Sequence, residues 1–292
     1  MRKPNTRQVE LADISLQVAE WPGNGDPVLL LHATGFHSRC WDEIARRLTD
    51  AHLYAVDLRF HGGSERSGEV NWQLMASDIE LLLQKLDLRG VVGVGHSIGG
   101  YLVACAAARQ RKRFKHLVLI DPVIFPRRQY TDRFKHMEGV DPAHNPVSKR
   151  KNQWRDAEEM YQRFNNRPPF DRWQAQILRD YCEHALREVP GESDLQLACD
   201  PLHEAAIYMS QKGNEIIHDL LPRLTLPVTL LRAAPDPEDF YNFAASPTWP
   251  GLADALPDAR EIYLPDMSHF IPMEDPDFVA RVIREVIHIA PV

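Results

Sequence analysis

Apolar runs separated by polar turns and helix-spaced segments set the plan of this chain. Pro27-Val28-Leu29-Leu30-Leu31-His32 is continuously apolar, the signature of a strand buried on both faces. His52 to Asp57, Val91 to Val94 and His116 to Pro122 repeat that signature. Between them, Trp41, Ile44, Ala45 and Leu48 recur at helical spacing, and Trp72 to Leu86 is amphipathic. Val9 to Glu20 alternates instead, with Leu11, Ile14, Leu16 and Val18 on apolar positions. It predicts an antiparallel hairpin that ends at Trp21-Pro22-Gly23-Asn24-Gly25. The β/α alternation lapses after Pro122 and resumes with strands over Pro227–Arg232 and Ala259–Leu264 and a closing helix over Pro276–His288. The intervening stretch is polar and aromatic, with helical spacing over Arg150–Phe164, Trp173–Arg187 and Pro201–Gln211. The pattern predicts a doubly wound α/β core from residues 1–122 and 222–292, interrupted by a helical insertion over 123–221.

One turn carries chemistry. The strand Val91–Val94 runs into Gly95-His96-Ser97-Ile98-Gly99-Gly100, a G-x-S-x-G, and then into the helix-forming run Tyr101 to Ala108. Strand, sharp turn and helix together make this motif a nucleophile elbow. The turn holds Ser97 in a strained conformation that needs bare neighbours, which Gly95 and Gly99 supply. Its hydroxyl then stands at a helix N-terminus, where backbone N–H groups favour a developing negative charge.

A nucleophilic serine needs a base, an acid to orient that base, and donors for an oxyanion. His269 follows the last predicted strand and precedes the last helix, so it lies at the sheet edge that also carries Ser97. The acid is expected after the strand ending near Leu231, where Asp236 stands, with Glu238 and Asp239 close by; Asp121, at the end of the strand following the elbow helix, is the alternative. The N–H groups of Ile98 and of Thr34, in the loop His32-Ala33-Thr34-Gly35, are the expected oxyanion donors. His32 is read as a loop-holding residue, since the base role is filled. Phe36 and His37 are placed at the pocket mouth, and His96 beside the nucleophile.

These residues resemble the α/β-hydrolase superfamily, in its cap-bearing serine hydrolase branch. The likeness is carried by His32-Ala33-Thr34-Gly35, Asp57-Leu58-Arg59-Phe60-His61-Gly62-Gly63-Ser64, the elbow, Leu119-Ile120-Asp121-Pro122, and Ser268-His269-Phe270 with Asp275-Pro276. The usual His-Gly is His32-Ala33 here, and Ala233-Ala234-Pro235-Asp236-Pro237 departs from the usual Gly-x-x-Asp at the acid. The resemblance implies an α/β-hydrolase fold with a mostly parallel eight-stranded sheet, and an insertion folded as a cap over Ser97. The cap is rich in aromatics (Phe125, Tyr130, Phe134, Trp154, Tyr161, Phe164, Phe170, Trp173, Tyr181), of which Phe125 and Trp154, with Phe270 from the core, are expected to line the substrate pocket. Arg127, Arg128, Lys149, Arg150 and Lys151 could meet a substrate carboxylate, against a solvated face as the ordinary reading of each. The implied activity is cleavage of a small carboxylic ester or thioester through an acyl-enzyme, without cofactor or metal. Two alternatives are C–C bond cleavage of a diketone-like substrate and a non-catalytic small-molecule receptor on the same fold.

Composition narrows the partners. The chain has 292 residues and a net charge of −7, which gives no electrostatic footprint for nucleic acid. No apolar stretch is long enough to span a bilayer, and the basic N-terminus lacks the apolar run of a signal peptide. Cys40, Cys105, Cys182 and Cys199 are scattered, without the spacing of a zinc site or a disulfide framework, so a cytoplasmic protein is expected. The expected partner is a small-molecule substrate, for a monomer or homodimer, with no nucleic acid and no membrane.

Overall fold

The alternating first segment forms the antiparallel pair β1 (Asn5–Glu10) and β2 (Ser15–Trp21). The continuous apolar runs form β3 (Pro27–Leu31), β4 (His52–Val56), β5 (Val91–His96) and β6 (Phe114–Ile120). A computed structural model describes residues 3–132, 139–236 and 242–287. Phe134, Glu238, Asp239 and His288 lie outside the described residues.

Helices α1 (Asp42–Arg47), α2 (Trp72–Lys85) and α3 (Ile98–Arg109) cover the two faces of these strands. Leu29 and Leu31 pack on one side with Met75, Ile79, Leu102 and Val103, whereas Val28 and Leu30 pack on the other with Ile44 and Ala45. Burial on both faces is why these strands carry no polar alternation. Asn71 starts α2 by accepting hydrogen bonds from the N–H groups of Gln73 and Leu74.

The segment after β6 carries α4 (Arg127–Asp132), the short strand β7 (Gln153–Trp154), α5 (Ala157–Phe164) and α6 (Ala175–His184). Then come β8 (Leu186–Arg187), β9 (Leu195–Leu197), α7 (Pro201–Met209) and α8 (Ile217–Leu220). The helix expected from Arg150 begins only at Ala157, because the Asp156 side chain caps it by accepting from Glu159 N–H at 2.7 Å. Residues within the expected helices, Gln153–Trp154 of Arg150–Phe164 and Leu186–Arg187 of Trp173–Arg187, instead pair with β9 into a three-stranded antiparallel sheet. The insertion is therefore mixed, not purely helical.

The main sheet closes with β10 (Val228–Ala233) and β11 (Ala259–Leu264), followed by α9 (Ile271–Glu274) and α10 (Pro276–Ile287). Among the described residues it has eight strands in the order β1-β2-β4-β3-β5-β6-β10-β11, parallel from β4 to β11. From β3 the chain steps outward to β4 on one side, and from β5 outward to β6 on the other. The loops leaving β3 and β5 thus part at the point where strand order reverses, the crevice in which open α/β sheets bind ligands.

Candidate active site

At the end of β5, Ser97 has φ 59° and ψ −121°, a conformation that a side-chain-bearing residue rarely adopts. A Cβ on Gly99 would overlap the carbonyl oxygen of Leu31, so the start of α3 presses directly on the end of β3. This contact joins the serine turn to the loop after β3. Ser97 N–H donates to Ile120 O at 3.0 Å, and Val123 N–H donates to Ser97 O at 3.1 Å. The β5–β6 ladder therefore extends one residue past the strands and sets Ser97 beside Asp121.

Asp121 also has a positive φ, 44°, and its backbone N–H donates to Leu231 O at 2.7 Å. Its carboxylate is fully buried and completely engaged. Oδ1 accepts from Ala233 N–H (3.0 Å), Ser246 Oγ (2.6 Å) and Thr248 Oγ1 (3.2 Å), while Oδ2 lies 2.6 Å from His269 Nδ1. The His269 backbone is fixed by donation to Ala244 O at 2.7 Å. The Asp121 contact places a proton on Nδ1 and leaves Nε2 with a lone pair.

This geometry corrects the preference for Asp236. The end of β10, where an acid was expected to serve, is already occupied by the Asp121 carboxylate bound to Ala233 N–H. Asp236 instead accepts from Asn242 Nδ2 at 3.0 Å. Ser246 and Thr248, which secure Asp121, were not singled out in the sequence; nothing in a Ser-Pro-Thr segment marks it as facing a carboxylate.

The loop after β3 turns tightly, with Phe36 N–H donating to Ala33 O at 3.1 Å and Gly35 at φ 78°, the position where a type II turn requires glycine. Two imidazoles support it. His61 Nε2 accepts from Gly35 N–H at 3.0 Å, and His32 Nε2 accepts from Leu58 N–H at 3.0 Å. Each Nδ1–H donates to a carbonyl, Arg59 O at 2.9 Å for His61 and Ala33 O at 2.8 Å for His32. Both rings are therefore neutral, and burial pushes the pKa of each down to about 3. The loop-holding role read for His32 agrees with this geometry, whereas His61 was not given one. The Thr34 and Ile98 N–H groups have no hydrogen-bond partner among the described residues, and Ile98 is the first residue of α3.

The residues expected around the pocket divide into two groups. Phe36 and Phe270 come together, with ring centroids 6.1 Å apart, and Trp173 lies 5.4 Å from each. Tyr181 joins them at 5.4 Å from Phe36. In the sequence, Trp173 and Tyr181 stand out only as members of the aromatic-rich insertion. His96 is fully buried and donates from Nε2 to His269 O at 2.8 Å, so it supports the His269 backbone and does not line open space. His37 stacks on Tyr181, and its Nε2–H donates to Tyr181 O at 3.0 Å, tying the β3 loop to α6. Phe125 and Trp154 are corrected as pocket residues. Phe125 packs on Tyr130 in the main core, and Trp154 packs on Phe164 with Lys151 over its face, inside the insertion.

With this arrangement in view, the comparisons with known proteins identify the class: the chain belongs to the alpha/beta hydrolase family, whose model matches residues 28–282. A stretch of 120 residues is 28% identical to an sn-1-specific diacylglycerol lipase of Xenopus tropicalis, covering 40% of this chain and 38% of that protein. Another of 115 residues is 34% identical to the lipase LipV of Mycobacterium tuberculosis, covering 38% and 43% respectively. The chain thus matches under half the length of these relatives. Among solved structures, E-2-(acetamidomethylene)succinate hydrolase has a TM-score of 0.77 at 21% identity, over 98% of this chain and all of that one. That likeness is one of fold. None of the described helices is long and apolar enough to cross a membrane.

Proposed function

We propose that the protein is a serine hydrolase that cleaves a small carboxylic ester or thioester through an acyl-enzyme, with Ser97 as nucleophile, His269 as base and Asp121 as the acid that orients it. The observation that carries this reading is the 2.6 Å Asp121–His269 hydrogen bond, one ladder position from a serine held at positive φ. His269 Nε2 takes the Ser97 proton as Oγ attacks the acyl carbon. The negative oxygen that forms is held by the N–H groups of Ile98 and Thr34. His269 then gives the proton to the departing alkoxide or thiolate, leaving the acyl group on Oγ. Water repeats the cycle, with His269 again as base, and releases the acid. Asp121 stays ionised throughout and stabilises the imidazolium.

The insertion acts in this reading as a lid. The Trp173 and Tyr181 side chains belong to the same apolar cluster as Ala33, Phe36, Phe270 and Met273 of the core, and Gln174 N–H donates to Met273 O at 2.9 Å. An apolar acyl group or leaving group is the natural occupant of such a lining. Labelling with a fluorophosphonate probe followed by peptide mapping tests the mechanism. Adduct on Ser97, absent in Ser97→Ala, is the expected outcome. A folded wild-type protein that takes no label would overturn it.

A further inference from the structure

Above the turn Ala33–Phe36 sits an ion pair, buried on its carboxylate side, that the mechanism does not use. Glu204, on α7, is buried, and its carboxylate lies against the turn so closely that a Cβ on Gly35 would be 2.5 Å from Glu204 Oε1. Arg150, nearly three-quarters covered by protein, donates from one Nη to Glu204 Oε2 and reaches Tyr181 Oη from the other at 3.4 Å. Tyr181 is the ring that packs on Phe36 and stacks on His37. The pair is thus wedged between the lid and the loop that carries Thr34.

A guanidinium in this place, partly covered by protein, would alone draw anions toward the turn that carries Thr34, because burial weakens the screening of its charge. Glu204 cancels it at contact distance. Burial raises the Glu204 pKa and Arg150 opposes that rise, so the pair is best described as one closed, neutral unit. The imidazoles beside it add no charge: His32 and His61 are held neutral by the N–H groups they accept.

From this geometry we infer that Glu204 is a specificity-determining residue: by neutralising Arg150 over the oxyanion turn it fits the site to uncharged acyl groups and turns away esters of dicarboxylic acids. This inference rests on the hydrolase reading above. Removing the Glu204 charge exposes the Arg150 charge to the pocket and opens the site to a substrate carboxylate. Removing Arg150 instead leaves an uncompensated anion and closes the site further to such substrates.

The test compares 4-nitrophenyl valerate with mono-4-nitrophenyl glutarate, which differ by a terminal methyl against a carboxylate. Wild type is expected to favour valerate in kcat/KM by about tenfold or more, from a unit charge left without a partner near the reacting centre. Glu204→Gln, which keeps the shape, is expected to move the ratio toward glutarate by about tenfold, and Arg150→Met to move it the other way. A wild-type preference for glutarate overturns the inference whether or not the variants fold, and so does a ratio unmoved in folded Glu204→Gln. Valerate turnover with either of those results refutes the specificity role alone. No turnover of either ester, together with no phosphonate label on Ser97, refutes the hydrolase reading and the inference with it.

Discussion

Replacing Asp121 by Asn, beside the same change at Asp236, separates the two candidate acids by function. With the amide oxygen toward Ala233 N–H, Ser246 and Thr248, the three donors now satisfied by Oδ1 keep their acceptor. The amide nitrogen then faces His269 Nδ1 across the present 2.6 Å contact. Two donors cannot share that contact, so the imidazole must carry its proton on Nε2 and lose the lone pair that takes the serine proton. A triad arrested in that tautomer loses about 10⁴ in turnover. If the amide flips, its oxygen serves His269, but its nitrogen opposes Ala233 N–H. A buried donor without an acceptor costs about 1–3 kcal/mol, and losing the charge-assisted bond to the imidazolium about as much again. The milder route therefore totals about 3 kcal/mol, a factor of about 10². The expected loss in kcat/KM lies between about 10² and 10⁴. Asp236→Asn, whose residue meets Asn242 and not His269, should stay within about twofold of wild type. The assay is hydrolysis of a 4-nitrophenyl ester alongside the rate of phosphonate labelling, with a melting curve to show that each variant is folded. Retention of a fifth or more of the activity in Asp121→Asn, or a large loss in Asp236→Asn, would refute the assignment.

Other consequences follow from the same contacts. Ser246→Ala removes the shortest hydroxyl donor to Asp121 Oδ1; kcat should fall about tenfold with KM little changed, and an unchanged kcat would show that the hydroxyl does not position the acid. Gly99→Ala forces a Cβ into the Leu31 carbonyl, so the variant should lose at least about 2 kcal/mol or fail to fold, as read by chemical denaturation. His32 and His61, with pKa values near 3, are neutral in the fold, whereas the unfolded chain protonates them below about 6.5. The unfolded state then binds more protons, so stability falls as pH drops from about 6.5 toward 3, by up to about 1.4 kcal/mol per pH unit for each ring. His61→Gln keeps an acceptor for Gly35 N–H but cannot titrate. Between pH 6.5 and 5.0 it should lose about 2 kcal/mol less than wild type in urea denaturation, and an equal loss in both proteins would exclude the neutral-ring account.

Most of the frame was legible because it depends on local pattern. Strands buried on both faces leave uninterrupted apolar runs, and the elbow announces itself through glycines that sit where backbone meets backbone. His269 could be placed because it stands between the last strand and the last helix. The acid could not be settled the same way. Asp121 and Asp236 both follow strands that end at the same edge, and what separates them is a set of tertiary hydrogen bonds from Ala233, Ser246 and Thr248. The insertion was legible as an interruption but not in its details. Its short strands span two or three residues each, too few for alternation to register, and Trp154 and Phe125 look no different in sequence from Trp173 and Tyr181. The Arg150–Glu204 pair joins residues 54 positions apart, which no local spacing reveals.

The extension of the β5–β6 ladder past its strands gives the site a ruler. Because Ser97 and Asp121 are successive rungs, bonded to Ile120 and Leu231 of the neighbouring strands, their separation is set by interstrand spacing and not by the conformation of any loop. Both are also in place before the chain leaves the core to build its insertion. Only His269 arrives from the far end of the sequence. The insertion can therefore lengthen, shorten or be exchanged while Ser97 and Asp121 keep their distance, whereas the loop between β10 and β11 carries Ser246 and Thr248 and is tied to the Asp121 carboxylate. What changes in the insertion put at risk is the apolar cluster around Phe36 and Phe270, so in the proposed reading substrate preference can drift while Ser97 and Asp121 stay in place.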